Sequence, residues 1–168
     1  CLPGSHVFVG MTFDDDPWVR EVLSDPARPP VLLFPGPDAP DILLHPPAGP
    51  VTLVVIDGTW SQAGKMVRES PLLQSLPRYA FTPPAASTYR IRTEPAAECV
   101  STIEALAYVL GVLEGDPERF KALLKPFGTM VDFQVAHAER CHQPRVRVRR
   151  RRKAPPPRNL SAATSNAP

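Results

Sequence analysis

The sequence has 168 residues, of which 43% are hydrophobic and 21% charged, and this fits one globular domain whose core needs no disulfide or metal. No apolar run approaches the roughly 20 residues of a membrane span and no internal repeat is present, so membrane-spanning, coiled-coil and collagen classes are excluded. The net charge of +2 hides an asymmetry, since residues 145–168 carry eight basic residues and no acid, whereas residues 1–144 hold eleven basic and seventeen acidic residues.

The first part of the chain alternates short apolar runs with helical patterns. Residues 6–10 are β-prone and predict a strand, and Asp16 followed by Pro17 supplies an N-cap and a first-turn proline for a helix. The apolar runs at residues 31–34 and 51–56 predict buried strands, each followed by a turn. Strands that are apolar on both faces and separated by helices predict an α/β fold with a mostly parallel sheet.

Two capping boxes predict helices in the second part of the chain. Thr59 and Gln62 have the required spacing, so a helix is expected to begin near Trp60. Ser101 and Glu104 repeat this spacing before a long apolar stripe. A capping role alone is a sufficient explanation for the second pair.

Shorter elements are predicted between and after these helices. Residues 79–81 and 89–92 are expected to form two short strands, and in the second strand the two arginines share one face. Asp116 and Pro117 mark the start of a last helical region, which Pro126 is expected to kink or split.

The first candidate site lies where the apolar runs end. Ligands of open α/β sheets bind outside the carboxyl ends of strands, and Gly36 and Gly58 would let a ligand approach the backbone there. Asp57 ends one strand and Thr59 caps the next helix, whose free N–H groups could hold an anionic group. The alternative is that Asp57 and Thr59 only end a strand and cap a helix.

The second candidate site is cationic. Arg90 and Arg92 would suit a phosphate or a carboxylate, or they could form a solvated strand face with local ion pairs. Residues 145–153 carry seven cations in nine positions, and residues 145–168 are expected to form a disordered tail that serves nucleic-acid binding or localisation. The histidines form no metal-binding pattern, so no metal ligand is expected in this chain.

The cysteines favour an intracellular protein. Cys1, Cys99 and Cys141 form no CxxC pair and are odd in number, and no signal peptide is present, so a reducing compartment is expected, in the nucleus or the cytoplasm. The chain opens without an initiator methionine, and we expect it to be a fragment of a longer protein.

Four blocks of sequence occur in the order found in a known family. Residues 33–36 read LFPG, residues 57–63 read DGTWSQA, residues 89–92 read YRIR and residues 99–105 read CVSTIEA. With these blocks the chain resembles the DTW-domain family over roughly residues 1–140. The context of Cys99 and the basic tail make it most similar to the eukaryotic branch.

The resemblance implies a tRNA-uridine aminocarboxypropyltransferase. Such enzymes move the 3-amino-3-carboxypropyl group of S-adenosylmethionine onto N3 of a uridine in tRNA and release methylthioadenosine. It also implies a SPOUT-like α/β fold with a C-terminal trefoil knot, formed here by a catalytic domain at residues 1–144. Family members carry an N-terminal zinc-binding segment and a His-Pro-x-Glu block that this chain lacks, so zinc is expected only in that missing segment.

The resemblance also gives roles to individual residues. Asp57 is the expected base for the uridine N3 proton, and Trp60 or Tyr89 could stack on the target base, although a core position is slightly favoured for Trp60. The residues expected to bind the donor are Leu33, Pro35, Gly36, Gly58, Thr59, Trp60, Ser101, Thr102 and Glu104. The residues expected to bind RNA are Tyr89, Arg90, Arg92, Arg149, Arg150, Arg151 and Arg152.

Two other functions remain open at this point. A SPOUT-type RNA methyltransferase would use the same donor but transfer its methyl group, so the mass of the product distinguishes the two enzymes. A non-catalytic RNA-binding remnant is favoured by the missing N-terminal block, and donor binding distinguishes it from either enzyme.

Overall fold

A computed structural model of the chain describes residues 2–89 and 100–140. These residues form six helices and three strands. The helices are α1 (Pro17–Leu23), α2 (Trp60–Glu69), α3 (Pro71–Ser75), α4 (Thr102–Leu113), α5 (Pro117–Lys121) and α6 (Leu124–Arg140). The strands are β1 (Pro30–Leu33), β2 (Thr52–Val55) and β3 (Arg78–Tyr79).

The three strands form one parallel sheet in the order β2-β1-β3. The predicted parallel α/β class is therefore confirmed, and α2 and α3 make the crossover between β2 and β3. The connection from β1 to β2 contains no helix. Ile42 fixes this long loop, since it is fully buried and its N–H donates a 2.9 Å hydrogen bond to the carbonyl of Ala80. The trefoil knot stays a prediction.

The core lies between the sheet and the two helices of the crossover. Leu32 of β1 is fully buried and packs with Val67 of α2 and with Leu73 and Leu76 in and after α3. Removing such side chains from water is the main source of stability in a domain of this size. This packing fixes α2 against the sheet and thereby sets where its N-terminus lies.

The helices α4, α5 and α6 pack against one another. Val109, Phe120 and Val131 are each at most 5% exposed. A Cβ atom on Gly111 would lie 2.9 Å from Cα of Pro117, so only glycine allows α4 and α5 to approach this closely. Pro126 lies in the first turn of α6, where its missing N–H costs no helical hydrogen bond, and the predicted break falls before Leu124.

One predicted strand does not form, and a second lies mostly outside the described residues. Residues 6–10 form no strand; their Phe8 ring instead packs on Phe13 and Trp18 at centroid distances of 6.2 and 5.3 Å. An apolar run makes a strand only where a partner strand is available, and Val9 is 96% exposed here. In the segment at 89–92, Tyr89 is irregular and the other residues lie outside the described ranges.

No helix within residues 2–89 and 100–140 has both the length and the hydropathy to cross a bilayer.

Candidate functional site

The carboxyl ends of β1 and β2 lie at the same edge of the sheet because the two strands are parallel neighbours. The chain leaves β1 through residues 34–36 and leaves β2 through residues 56–59, so the two predicted loops converge as expected. The Phe34 and Trp60 ring centroids lie 6.3 Å apart. Contact between these rings joins the first loop to the start of α2.

Asp57, two residues beyond β2, contacts the first residue of α4. The Thr102 hydroxyl donates a 2.7 Å hydrogen bond to Oδ1 of Asp57. The Asp57 side chain is exposed, and no residue in the described ranges donates a hydrogen bond to its second oxygen, Oδ2. The carboxylate is therefore fixed through one oxygen and accessible through the other, an arrangement suited to accepting a proton or binding a ligand.

The loop before α2 leaves backbone donors free. The capping box is confirmed, since Gln62 N donates to Oγ1 of Thr59 at 3.3 Å and Thr59 N donates to Oε1 of Gln62 at 2.9 Å. The N–H groups of Trp60 and Ser61 have no acceptor among the residues described. Gly58 has φ of 152°, which other residues rarely adopt. Two N–H groups at a helix N-terminus are thus available to an anionic group beside Asp57.

Glu104 is a buried carboxylate at the start of α4, with a relative exposure of 4%. Its two oxygens accept hydrogen bonds of 2.7 to 2.9 Å from the backbone N–H and hydroxyl of Ser101, the hydroxyl of Ser87, and the backbone N–H and hydroxyl of Thr88. Burial opposes the charged form, but these donors outweigh it and lower the pKa of Glu104 from 4.5 to about 2. The ionised carboxylate therefore links residues 87–88 to the N-terminus of α4.

This network places the second capping box in the site. Ser101 caps α4, and the next residue, Thr102, reaches Asp57. The position of Thr102 thus depends on the contacts of Glu104, two residues further along α4. In the structure Glu104 supports the site through protein contacts, and its contact with a donor molecule stays a prediction.

The other residues expected to bind the donor line the two loops. Leu33 is the half-buried last residue of β1, and Pro35 after it is exposed. A Cβ atom on Gly36 would lie 3.2 Å from Cδ of Arg78, so glycine at this position leaves room for that side chain. Trp60 is 46% exposed and is not a core residue, which leaves part of its ring accessible to a ligand.

The residues expected to bind RNA are only partly covered by the structure. The Tyr89 ring lies 5.2 Å from the Phe127 ring of α6 in an edge-to-face arrangement and is half-buried. Arg90, Arg92, Arg149, Arg150, Arg151 and Arg152 lie outside the described residues. Base stacking by Tyr89 would have to use the part of the ring that Phe127 does not cover.

Some residues of the site were not predicted. Ser87 and Thr88 bind Glu104 across a gap of 16 or 17 residues, and no local spacing indicates such a contact. Phe34 stands inside a quoted motif, but its contact with Trp60 depends on the pairing of β1 with β2. Within residues 2–89 and 100–140, no group of three or more His, Cys, Asp or Glu side chains could hold a metal ion.

The residues of this site fall within a match to a known protein family. The model of the DTW domain matches residues 1–135, which include Asp57, the start of α2 and the start of α4. The chain belongs to the DTW-domain family.

This DTW-domain chain has curated relatives that carry a common name. It is 37% identical over 126 residues to tRNA-uridine aminocarboxypropyltransferase 2 of Drosophila melanogaster, covering 74% of this chain and 49% of that protein. The protein of the same name from Macaca fascicularis is 31% identical over 144 residues, covering 82% of this chain and 48% of that protein. The tRNA-uridine aminocarboxypropyltransferase A of Arabidopsis thaliana is 29% identical over 139 residues, with coverage of 65% and 52%.

The DTW-domain chain spans about half the length of the curated relatives it matches. No solved structure matches it.

Proposed function

We propose that this DTW-domain chain transfers the 3-amino-3-carboxypropyl group of S-adenosylmethionine to N3 of a uridine in tRNA. The observation that carries the proposal is the Asp57 carboxylate, fixed by Thr102 between the starts of α2 and α4. The names of the relatives support the same reaction. Residues 1–144 are the proposed catalytic domain, and residues 145–168 are a basic extension of it.

Asp57 is the proposed base in this reaction. As uridine N3 forms a bond to the γ-carbon of the donor, the bond from that carbon to sulfur breaks and its electron pair leaves with methylthioadenosine. The proton on N3 passes to Oδ2 of Asp57, the oxygen to which no described residue donates a hydrogen bond. A positioned base of this kind typically contributes about 10²–10⁴-fold to a rate.

The start of α2 is the proposed binding site for the amino-acid end of the donor. The free N–H groups of Trp60 and Ser61 suit the donor carboxylate, and the glycine at 58 allows close approach. Fixing this end would direct the γ-carbon, rather than the methyl group, toward the nucleophile. The exposed part of Trp60 is the proposed stacking surface for the uridine.

The supporting shell of this site consists of Glu104 and its partners. Because the described residues that donate hydrogen bonds to the Glu104 carboxylate are Ser87, Thr88 and Ser101, its proposed role is to fix the start of α4. Thr102 then fixes the rotamer of Asp57. Preorganisation of this kind is what positions a base within hydrogen-bonding distance of its proton.

Mass spectrometry of tRNA nucleosides tests the proposal. The chain is incubated with unmodified tRNA and S-adenosylmethionine, and the tRNA is digested to nucleosides. We expect a uridine heavier by one aminocarboxypropyl group, together with methylthioadenosine. A uridine heavier by one methyl group would identify a methyltransferase instead, and calorimetry that shows no donor binding would favour an RNA-binding protein without catalysis.

A further inference from the structure

An open groove with two arginines runs along α2. Its volume is about 390 Å³. The residues that line it are Phe34, Gly64, Val67, Arg68, Gln74 and Arg78. The lining therefore contains two guanidinium groups, one aromatic ring and one amide, and it contains no carboxylate.

Two glycines leave space for the arginine side chains. A Cβ atom on Gly64 would lie 3.3 Å from Nη1 of Arg68, one helical turn further along α2. A Cβ atom on Gly36 would lie 3.2 Å from Cδ and 3.6 Å from Nη1 of Arg78. A Cβ atom at either position would require the arginine side chain to shift by a few tenths of an ångström, so the two glycines allow these side chains to lie close to the backbone.

No carboxylate among the described residues forms an ion pair with either guanidinium group. Ion pairs form elsewhere on the surface, and on α2 itself Lys65 lies 3.9 Å from Glu69. Within residues 2–89 and 100–140, Arg68 and Arg78 have no acidic partner. Two arginines that converge on one groove without a counter-charge fit an anion that comes from another molecule.

The groove continues from the candidate site. Phe34 lines the groove, and its ring also lies 6.3 Å from the ring of Trp60. Gly64 of the groove lies one turn beyond Trp60 on α2. A strand with one base on Trp60 would therefore meet the groove with its neighbouring nucleotides.

We propose that Arg68 and Arg78 bind backbone phosphates of the RNA strand that flanks the modified uridine. This inference rests on the proposed function. The groove is open rather than enclosed, which suits a polymer that continues beyond it better than a small anion held from all sides. A basic groove with an aromatic side chain in its wall is also typical of sites that bind single-stranded nucleic acid.

Salt-dependent binding of tRNA tests this proposal without requiring catalysis. The affinity of a fluorescein-labelled, unmodified tRNA transcript is measured over a salt series for the parent chain, for Arg68→Ala, for Arg78→Gln and for the double variant. Lys65→Ala is the matched control, because Lys65 is a cation on α2 that does not line the groove. Thermal unfolding and donor binding by calorimetry are measured for every variant.

The expected result is a change in the salt slope. Each lost phosphate contact should flatten the slope of log K against log salt by about 0.7–0.9, so the double variant should lose about 1.4–1.8. Binding at low salt should weaken several-fold for each arginine, and the Lys65→Ala control should retain the parent slope. Donor affinity should stay unchanged in all variants.

Several results would overturn the proposal. An unchanged salt slope in the folded double variant would remove the groove from RNA binding, and a loss of donor affinity would assign it to the donor instead. If Arg78→Gln fails to fold, the salt slope of Arg68→Ala alone tests the proposal, and a slope equal to that of the parent chain would contradict it. An absence of measurable tRNA binding by the parent chain would also contradict the proposal. Failure of the proposed function is separate, since it would appear as unmodified tRNA alongside an arginine-dependent slope.

Discussion

The hydroxyl of Thr102 and the carboxylate of Asp57 are 45 residues apart in sequence and are joined by a hydrogen bond of 2.7 Å. This bond connects the end of β2 to the start of α4. Since Glu104 fixes the start of α4 through Ser87 and Thr88, the orientation of Asp57 depends on a segment that never contacts it directly. The candidate site is therefore supported from outside its own motif.

Replacing Thr102 with valine should lower the rate of transfer with little change in stability. Valine has nearly the same shape but cannot donate to Asp57, so the carboxylate loses the contact that orients it. Because both side chains are at least partly accessible to water, we expect a fall of about tenfold, at the low end of the range for hydrogen bonds to charged groups. Single-turnover rates measure the effect. Thr102→Ser keeps the hydroxyl and should retain most of the activity, and equal rates for both variants would contradict the role of this bond.

Asp57→Asn should abolish transfer while leaving the fold intact. The amide is nearly isosteric with the carboxylate but cannot accept a proton at neutral pH, so a loss of about 10²–10⁴-fold is expected. Single-turnover rates and melting temperatures are measured together. An unchanged rate would remove Asp57 from the mechanism, whereas a lower donor affinity at an unchanged saturated rate would make it a binding residue.

Local patterns predicted the parts of the fold whose cause is local. The Thr59 and Ser101 capping boxes form as expected because each is made by residues within one helical turn. The apolar runs at 31–34 and 51–56 became neighbouring parallel strands, in which pairing satisfies the backbone. The prediction of burial holds for the centre of β1, whereas all residues of β2 are only half-buried. A run at 6–10 of similar composition formed no strand, because strand formation also requires a partner.

Sequence patterns could not predict the contacts between segments that are distant along the chain. Glu104 was predicted as a member of a capping box and as a donor-binding residue, yet its hydrogen bonds from Ser87 and Thr88 were not foreseen. Arg68 and Arg78 line one groove although each belongs to a different element, and neither was singled out in advance. Such convergence depends on how α2 packs against β1, and a linear pattern does not contain that information.

Glu104→Gln should destabilise the domain substantially. A glutamine side chain has one carbonyl oxygen in place of two acceptor oxygens, and its NH₂ group would face donors from Ser87, Thr88 or Ser101. Leaving a buried donor without a partner costs about 1–3 kcal/mol, so we expect a loss in this range in the free energy of unfolding. Urea denaturation measures it. Glu114→Gln at the exposed end of α4 is the control and should change stability by less than about 0.5 kcal/mol.

Acid should destabilise the domain through the same carboxylate. The folded pKa of Glu104 is about 2 and lies below its ordinary value of 4.5. A lowered folded pKa means that the contribution of Glu104 is complete above pH 4.5 and is lost as the pH falls through about 2. Unfolding free energies measured between pH 6 and pH 2 should therefore decline more steeply for the parent chain than for Glu104→Gln. Parallel curves for the two proteins would show that Glu104 is not the group responsible.

Deleting residues 145–168 should weaken tRNA binding without removing the catalytic site. The deleted segment carries eight basic residues and no acid, and seven of its cations fall within residues 145–153. Near RNA these cations would displace condensed counterions, so the deletion should flatten the salt slope by several units, at about 0.7 for each lost phosphate contact. The rate at saturating tRNA should survive, because a contribution that is equal in ground state and transition state does not affect the saturated step. Donor binding should also survive, since Asp57, Thr102 and the start of α2 are all retained. A salt series on both chains measures the effect, and an identical slope would assign the basic segment to localisation rather than to RNA.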